Sequence, residues 1–174
     1  MIGNRDQDRP AREVRVVSSD SLEQTQEFGR LFATVLRQGM VVALIGDLGA
    51  GKTHLVQSIA EAFGVNREDV SSPTFVLIQE YDTTIPICHI DAYRLGDVDE
   101  FLQLGADELL GGDYLCLIEW ADRVEEALPR DQIRVEIVPT TETGRQIRIT
   151  ASPSLLDELE QKLGGSSISV VKDG

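Results

Sequence analysis

Residues Met40 to Ile45 are apolar without a break, and Gly46-Asp47-Leu48-Gly49-Ala50-Gly51-Lys52-Thr53 follows directly. This junction limits what the 174-residue chain can fold into more than any other feature. An unbroken apolar run of strand length is the pattern of a strand covered on both faces, which puts it in the middle of a parallel sheet. The glycines after it permit a tight turn. From about Lys52 to Phe63 the apolar period becomes helical, and Gly64 ends it. Strand, glycine-rich loop and helix in that order predict a single α/β domain with a mostly parallel central sheet flanked by helices.

The octapeptide fits G-x-x-x-x-G-K-[ST] without a mismatch. In such a loop, here Asp47, Leu48, Gly49, Ala50, Gly51, Lys52 and Thr53 after the first glycine, successive N–H groups turn inward at phosphate oxygens. The helix starting near Lys52 adds the positive end of its dipole. Lys52 supplies a mobile ammonium to the β and γ phosphates, and the Thr53 hydroxyl is placed to ligate magnesium. The chain therefore reads as a P-loop NTPase.

A P-loop needs an acidic group at the end of a neighbouring strand. Tyr114 to Ile118 is a second buried-strand candidate and runs into Glu119, which becomes the carboxylate for the metal; the bland alternative is a strand end that meets solvent. The strand Pro86 to Asp91 ends in the same way. For Asp91 two readings stand equally: it positions the attacking water or helps bind magnesium, or it caps a turn. Thr74, in Ser72-Pro73-Thr74, suits a switch element, or the segment is a proline-set entry to a strand from Thr74 to Tyr81. Trp120 stacks near a base or packs in the core. His54 and His89 lack a partner pattern and read as structural.

Elsewhere the pattern is simple. Val14 to Val17 reads as a strand, and Ser18, Ser19 and Asp20 offer caps for a helix carrying Leu22, Phe28, Leu31, Phe32 and Val35. Asp97 with Glu100 forms a capping box ahead of Phe101. A short helix near Ala121 to Ala127 precedes alternating strands at Ile133 to Val138 and Gln146 to Thr150, antiparallel towards the C-terminus. Ser152 and Pro153 open a last helix with Leu155, Leu156, Leu159 and Leu163 on one stripe. Residues 1–12 read as a flexible lead-in, 13–163 as the domain, and 164–174 as a flexible Gly/Ser-rich tail.

Sixteen Lys and Arg against thirty Asp and Glu leave a net charge of −14, which disfavours a direct grip on nucleic acid or an anionic membrane. Apolar stretches are a few residues long where a spanning helix needs ~20, so a soluble, cytosolic protein is expected. Cys88 and Cys116 read as buried thiols rather than a disulfide or zinc site.

Taken together, Gly46 to Thr53, Ser72-Pro73-Thr74, His89-Ile90-Asp91-Ala92-Tyr93-Arg94-Leu95, Leu117-Ile118-Glu119-Trp120 and Gly144-Arg145 closely resemble the TsaE family, also called YjeE. These are P-loop ATPases of bacterial tRNA threonylcarbamoyladenosine (t6A) synthesis. The resemblance runs from about Asp20 to Ala151. It implies ATP and magnesium, and work with TsaB and TsaD, where TsaD transfers the threonylcarbamoyl group to the adenosine beside the anticodon. It assigns phosphate contacts to Leu48 through Thr53, magnesium to Thr53 and Glu119, and a part in hydrolysis to Asp91. It also places Trp120, Asp122 and Arg145 near the nucleotide. Many relatives have a second Thr where this chain has His54, a change expected to matter little.

From Asp97 to Glu126 there are ten acidic residues against Arg123 alone, so contact with tRNA is expected only indirectly, through partners. That stretch is either a solvated face or a dock for a basic partner surface. With no arginine finger evident, ATP hydrolysis catalysed through Lys52, Asp91 and Glu119 should be slow and depend on partners. Three other readings remain: a small-molecule or nucleoside kinase, against which the scattered arginines speak; a GTPase switch, for which no D-x-x-G occurs; and a nucleotide-dependent scaffold without required hydrolysis.

Overall fold

A computed structural model describes residues 11–172. Its strands are β1 (Glu13–Ser19), β2 (Val41–Ile45), β3 (Ile78–Tyr81), β4 (Ile87–Asp91), β5 (Leu115–Glu119), β6 (Ile133–Pro139), β7 (Arg145–Ala151) and β8 (Ser169–Lys172). Its α-helices are α1 (Leu22–Ala33), α2 (Lys52–Ala62), α3 (Val98–Gln103), α4 (Ala106–Leu109) and α5 (Pro153–Leu163), with 3-10 turns at Arg67–Asp69 and Ala121–Ala127.

The strands form one eight-stranded mixed sheet in the order β3-β4-β5-β2-β6-β7-β1-β8. Its middle is parallel, as β2's unbroken apolar run requires: β4 pairs with β5, β5 with β2, and β2 with β6. The flanks are antiparallel: β3 on β4 at one side, then β6, β7, β1 and β8 in succession at the other. Because β2, β4 and β5 run the same way, their carboxyl ends meet at one edge, where ligands bind in open α/β sheets.

Two apolar layers cover the middle strands. On one face Val42, Leu44, Leu115 and Leu117 pack with Phe28, Phe32, Leu55 and Ile59 of α1 and α2, and the Leu155, Leu156, Leu159 stripe of α5 joins them. On the other, Val41, Ala43, Ile90 and Ile118 pack with Phe101, Ala106 and Val124. Cys88 and Cys116 are free thiols buried in this second layer. Among the described residues no helix is long and apolar enough to cross a membrane.

Several local expectations need correcting. Strand β3 starts at Ile78, not Thr74, because the Leu77 N–H bonds the Pro73 carbonyl at 2.6 Å and closes a turn, with Leu77 at φ +71°. Phe75 and Val76 are consequently exposed. Ser18 and Ser19 belong to β1, and Ser21 caps α1 by accepting from the Gln24 N–H. The Gly/Ser-rich tail does not simply fray: Ser169–Lys172 forms β8 on β1. Most of the expected N-terminal lead-in lies outside the described residues. Arg12 within it is tied down, donating to the carbonyls of Gln132, Thr150 and Arg130.

Helix α1 reaches α2 closely enough to set its position. A Cβ on Gly29 would sit 2.5 Å from the Ser58 Cβ and 3.2 Å from Leu55 Cδ1. Gly29→Ala should therefore lower stability by about 1–3 kcal/mol, in spite of alanine's better helix propensity. Urea denaturation measures this, and adding Ser58→Gly should recover most of the loss, because the clash is with a Cβ.

Candidate functional site

The glycine-rich segment lies at the carboxyl end of β2, as the sequence pattern required. Gly46 is unavoidable there: a Cβ would lie 2.6 Å from the Ile137 carbonyl oxygen of β6 and 3.0 Å from the Ala50 Cβ. Gly51, at φ +110°, is the left-handed residue that starts α2. The first amides of α2 have no intrahelical acceptor.

Lys52 is folded back over this loop. Its Nζ donates to the carbonyls of Gly46 at 2.6 Å and Asp47 at 2.9 Å, and stands 3.8 Å above the Trp120 ring. Burial pushes its pKa below the ordinary lysine value, against the opposing pull of Glu119, Asp91, Asp122 and Asp47. Trp120 reaches this position because β5 ends in a left-handed turn, Trp120 itself having φ +57°. Its ring also meets Tyr93 at 4.8 Å between centroids, with Arg123 beyond.

Asp91 and Glu119 end β4 and β5 as register partners, and each is only 2% exposed. The idea that Glu119 merely meets solvent is thereby excluded. Both Glu119 oxygens lie 2.9 Å from the Thr53 hydroxyl, and Oε1 lies 2.8 Å from His89 Nε2. Of the two readings of Asp91, the structure shows the turn cap. Oδ1 caps a turn by accepting from the Tyr93 N–H at 2.9 Å, while Oδ2 accepts from Ser72 Oγ at 2.5 Å and Thr74 Oγ1 at 3.0 Å.

These groups share a cavity of about 370 Å³ lined by Leu48, Gly49, Gly51, Lys52, Thr53, His54, Gln57, Ser72, Thr74, Asp91, Tyr93, Glu119 and Trp120. A second hollow of about 170 Å³ adjoins it, sharing Gly51 and His54 and adding Leu22, Thr25, Glu142, Thr143 and Arg145. Arg145 is not loose in solvent. Its Nε donates to the Ala50 carbonyl at 2.7 Å, its Nη1 to Gly144 at 2.7 Å, and so it braces the loop from behind. Ala50 is buried under the loop. Asp47 lines a different hollow with Glu136 and Val138, and Asp122 lies in an open groove with Asp97, Arg123 and Glu126.

Among the described residues no group of three His, Cys, Asp or Glu side chains could hold a metal by itself. The Thr53 hydroxyl and the Glu119 carboxylate are hard oxygen donors. Together they suit Mg²⁺, which usually takes one or two protein ligands and completes its shell with phosphate and water. Sequence reasoning missed His89. His89 stands two residues before Asp91 on the same strand and hence on the same face, a signal that was available.

The lowered pKa of Lys52 has a definite sign. Between its depressed folded value and the ordinary lysine range, the unfolded chain holds more protons than the folded one, so this group makes stability rise with pH. Urea midpoints compared from neutral pH to about pH 10 should rise less in Lys52→Met than in wild type.

Comparison with known proteins assigns a family. The family model "Threonylcarbamoyl adenosine biosynthesis protein TsaE" matches residues 19–147. The tRNA threonylcarbamoyladenosine biosynthesis protein TsaE of Bacillus subtilis is 39% identical over 142 residues, 81% of this chain and 88% of that protein. Its namesake in Treponema pallidum is 34% identical over 131 residues, 75% of this chain and 96% of that one. The crystal structure of Bacillus subtilis YdiB superposes with a TM-score of 0.74 at 33% identity, covering 87% of this chain and 97% of the other. A family model over residues 19–147, relatives matched over most of this chain and a shared fold make this chain a member of the TsaE family.

Proposed function

We propose that the chain is the ATP-binding and ATP-hydrolysing component of the t6A machinery, acting with TsaB and TsaD to support turnover of threonylcarbamoyl transfer to tRNA. The observation that carries the ATPase reading is the Thr53–Glu119 contact, which joins the end of the phosphate loop to a buried carboxylate on the adjacent strand. The family match carries the t6A assignment.

The triphosphate occupies the larger cavity and the nucleoside the adjoining hollow beside Arg145. Lys52 leaves the Gly46 and Asp47 carbonyls for the β and γ phosphates, exchanging dipoles for full negative charge. Thr53 and Glu119 would hold magnesium, which would supply positive charge beside the phosphates. Asp91 orients the attacking water through the oxygen that Ser72 and Thr74 engage in the open site. Loop amides and the Lys52 ammonium offset charge on the γ-phosphoryl group in the in-line reaction.

No arginine lines the larger cavity among the described residues. A missing arginine finger is worth on the order of 10³ to 10⁵ in rate, so the isolated chain hydrolyses ATP slowly and a partner completes the site. The docking face combines the exposed apolar side chains Leu48, Phe75 and Val76 with the acidic groove of Asp97, Asp122, Glu125 and Glu126. Such a face fits a basic partner surface.

Reconstitution with TsaB, TsaD, threonylcarbamoyl-adenylate and tRNA tests the reading. Multiple-turnover modification should collapse in Lys52→Ala and Glu119→Ala, and ATP turnover should rise when both partners are present. Full multiple-turnover activity of either variant would refute a required hydrolysis and favour a scaffold. Association with TsaB and TsaD, followed by light scattering or calorimetry, should weaken as salt is added. Indifference to ionic strength would remove the acidic docking face.

A further inference from the structure

We infer that His89 is a positioning residue for Glu119 and, through it, for the Thr53 hydroxyl that faces the cation; the inference rests on reading the loop as a nucleotide site. His89 is fully buried, on the face of β4 that it shares with Asp91. Its Nε2 lies 2.8 Å from Glu119 Oε1. A carboxylate oxygen only accepts, so this ring nitrogen carries the hydrogen and donates. The other ring nitrogen, Nδ1, is buried without a partner among the described residues.

That asymmetry is informative. A histidine retained only to fill the core would be outdone by leucine, which leaves no polar atom unpaired, whereas an unpaired buried polar atom costs about 1–3 kcal/mol. The ring accepts this penalty and directs its one satisfied nitrogen at the acid beneath the phosphate loop. Tyr81 stacks against the imidazole at 6.5 Å between centroids and an interplanar angle of 29°, which restrains the ring plane.

The geometry says what the contact does. Thr53 Oγ1 is 2.9 Å from both Glu119 oxygens, so the hydroxyl hydrogen points to the carboxylate and the hydroxyl lone pairs are left for the cavity. The last torsion of a glutamate is broad, and without a second contact the carboxylate plane would swing and the hydroxyl would follow. His89 fixes one oxygen and removes that freedom. Outer partners of this kind typically change metal affinity by about 10- to 100-fold.

The test compares His89→Leu with His89→Gln, which keeps a donor, in the full chain. Calorimetry measures ADP affinity with excess chelator and with Mg²⁺. His89→Leu should bind metal-free ADP like wild type yet lose about 10- to 100-fold of the affinity gained from Mg²⁺, and His89→Gln should recover most of it. An undiminished Mg²⁺ gain in His89→Leu, or an equal loss with and without metal, would overturn the inference. Nitrogen-15 NMR of wild-type protein gives a second measurement that needs no variant. The His89 Nε2 resonance should shift when Mg²⁺ is added to the ADP complex, and an unmoved resonance would overturn the inference even if the leucine variant failed to fold. A wild-type chain that bound no ADP would instead refute the nucleotide reading, and this inference with it.

Discussion

Two carboxylates, Asp91 and Glu119, stand side by side at the ends of neighbouring buried strands, and each is almost wholly withdrawn from water. Burying one acid is costly, and burying a pair in register is more so. The fold keeps them by giving each a separate set of donors: Ser72, Thr74 and the Tyr93 amide for Asp91, and Thr53 and His89 for Glu119. Nearly every element around the site serves this arrangement. The parallel pairing of β4, β5 and β2 brings both acids to the edge where the glycine-rich loop begins, and α2 carries Thr53 to Glu119.

The loop itself is held closed from within. Lys52 satisfies two loop carbonyls and lies on the indole of Trp120. Arg145, reaching from β7, braces the same loop through the Ala50 carbonyl, which couples the antiparallel side of the sheet to the site. Exposed Phe75, stacked under Arg94, lies on the segment whose hydroxyls bind Asp91.

Much of this was legible before any coordinates. The apolar run ending at Gly46, the helical period after Lys52 and the acids closing two further apolar strands are local signals of strong type, and the structure brings them together. What the chain hid was set by non-local contacts. The apolar letters from Phe75 to Leu77 look like strand, but a turn stabilised by the Pro73 carbonyl and by Asp91, which lies far along the sequence, wins over β-propensity. Ser169–Lys172 follows a Gly/Ser-rich stretch and is held only because β1 offers an open edge. His89 read as core because its partner, Glu119, belongs to another strand.

The central claim is that the amides from Leu48 to Thr53, backed by Lys52 and the Thr53–Glu119 pair, capture the phosphates of a nucleotide. Calorimetric titration of the folded full chain with magnesium-loaded ADP and ATP measures it most directly. The account predicts saturable binding of one nucleotide per chain that pyrophosphate competes away. Absence of any binding heat across titration temperatures, with TsaB and TsaD added as well, would contradict it.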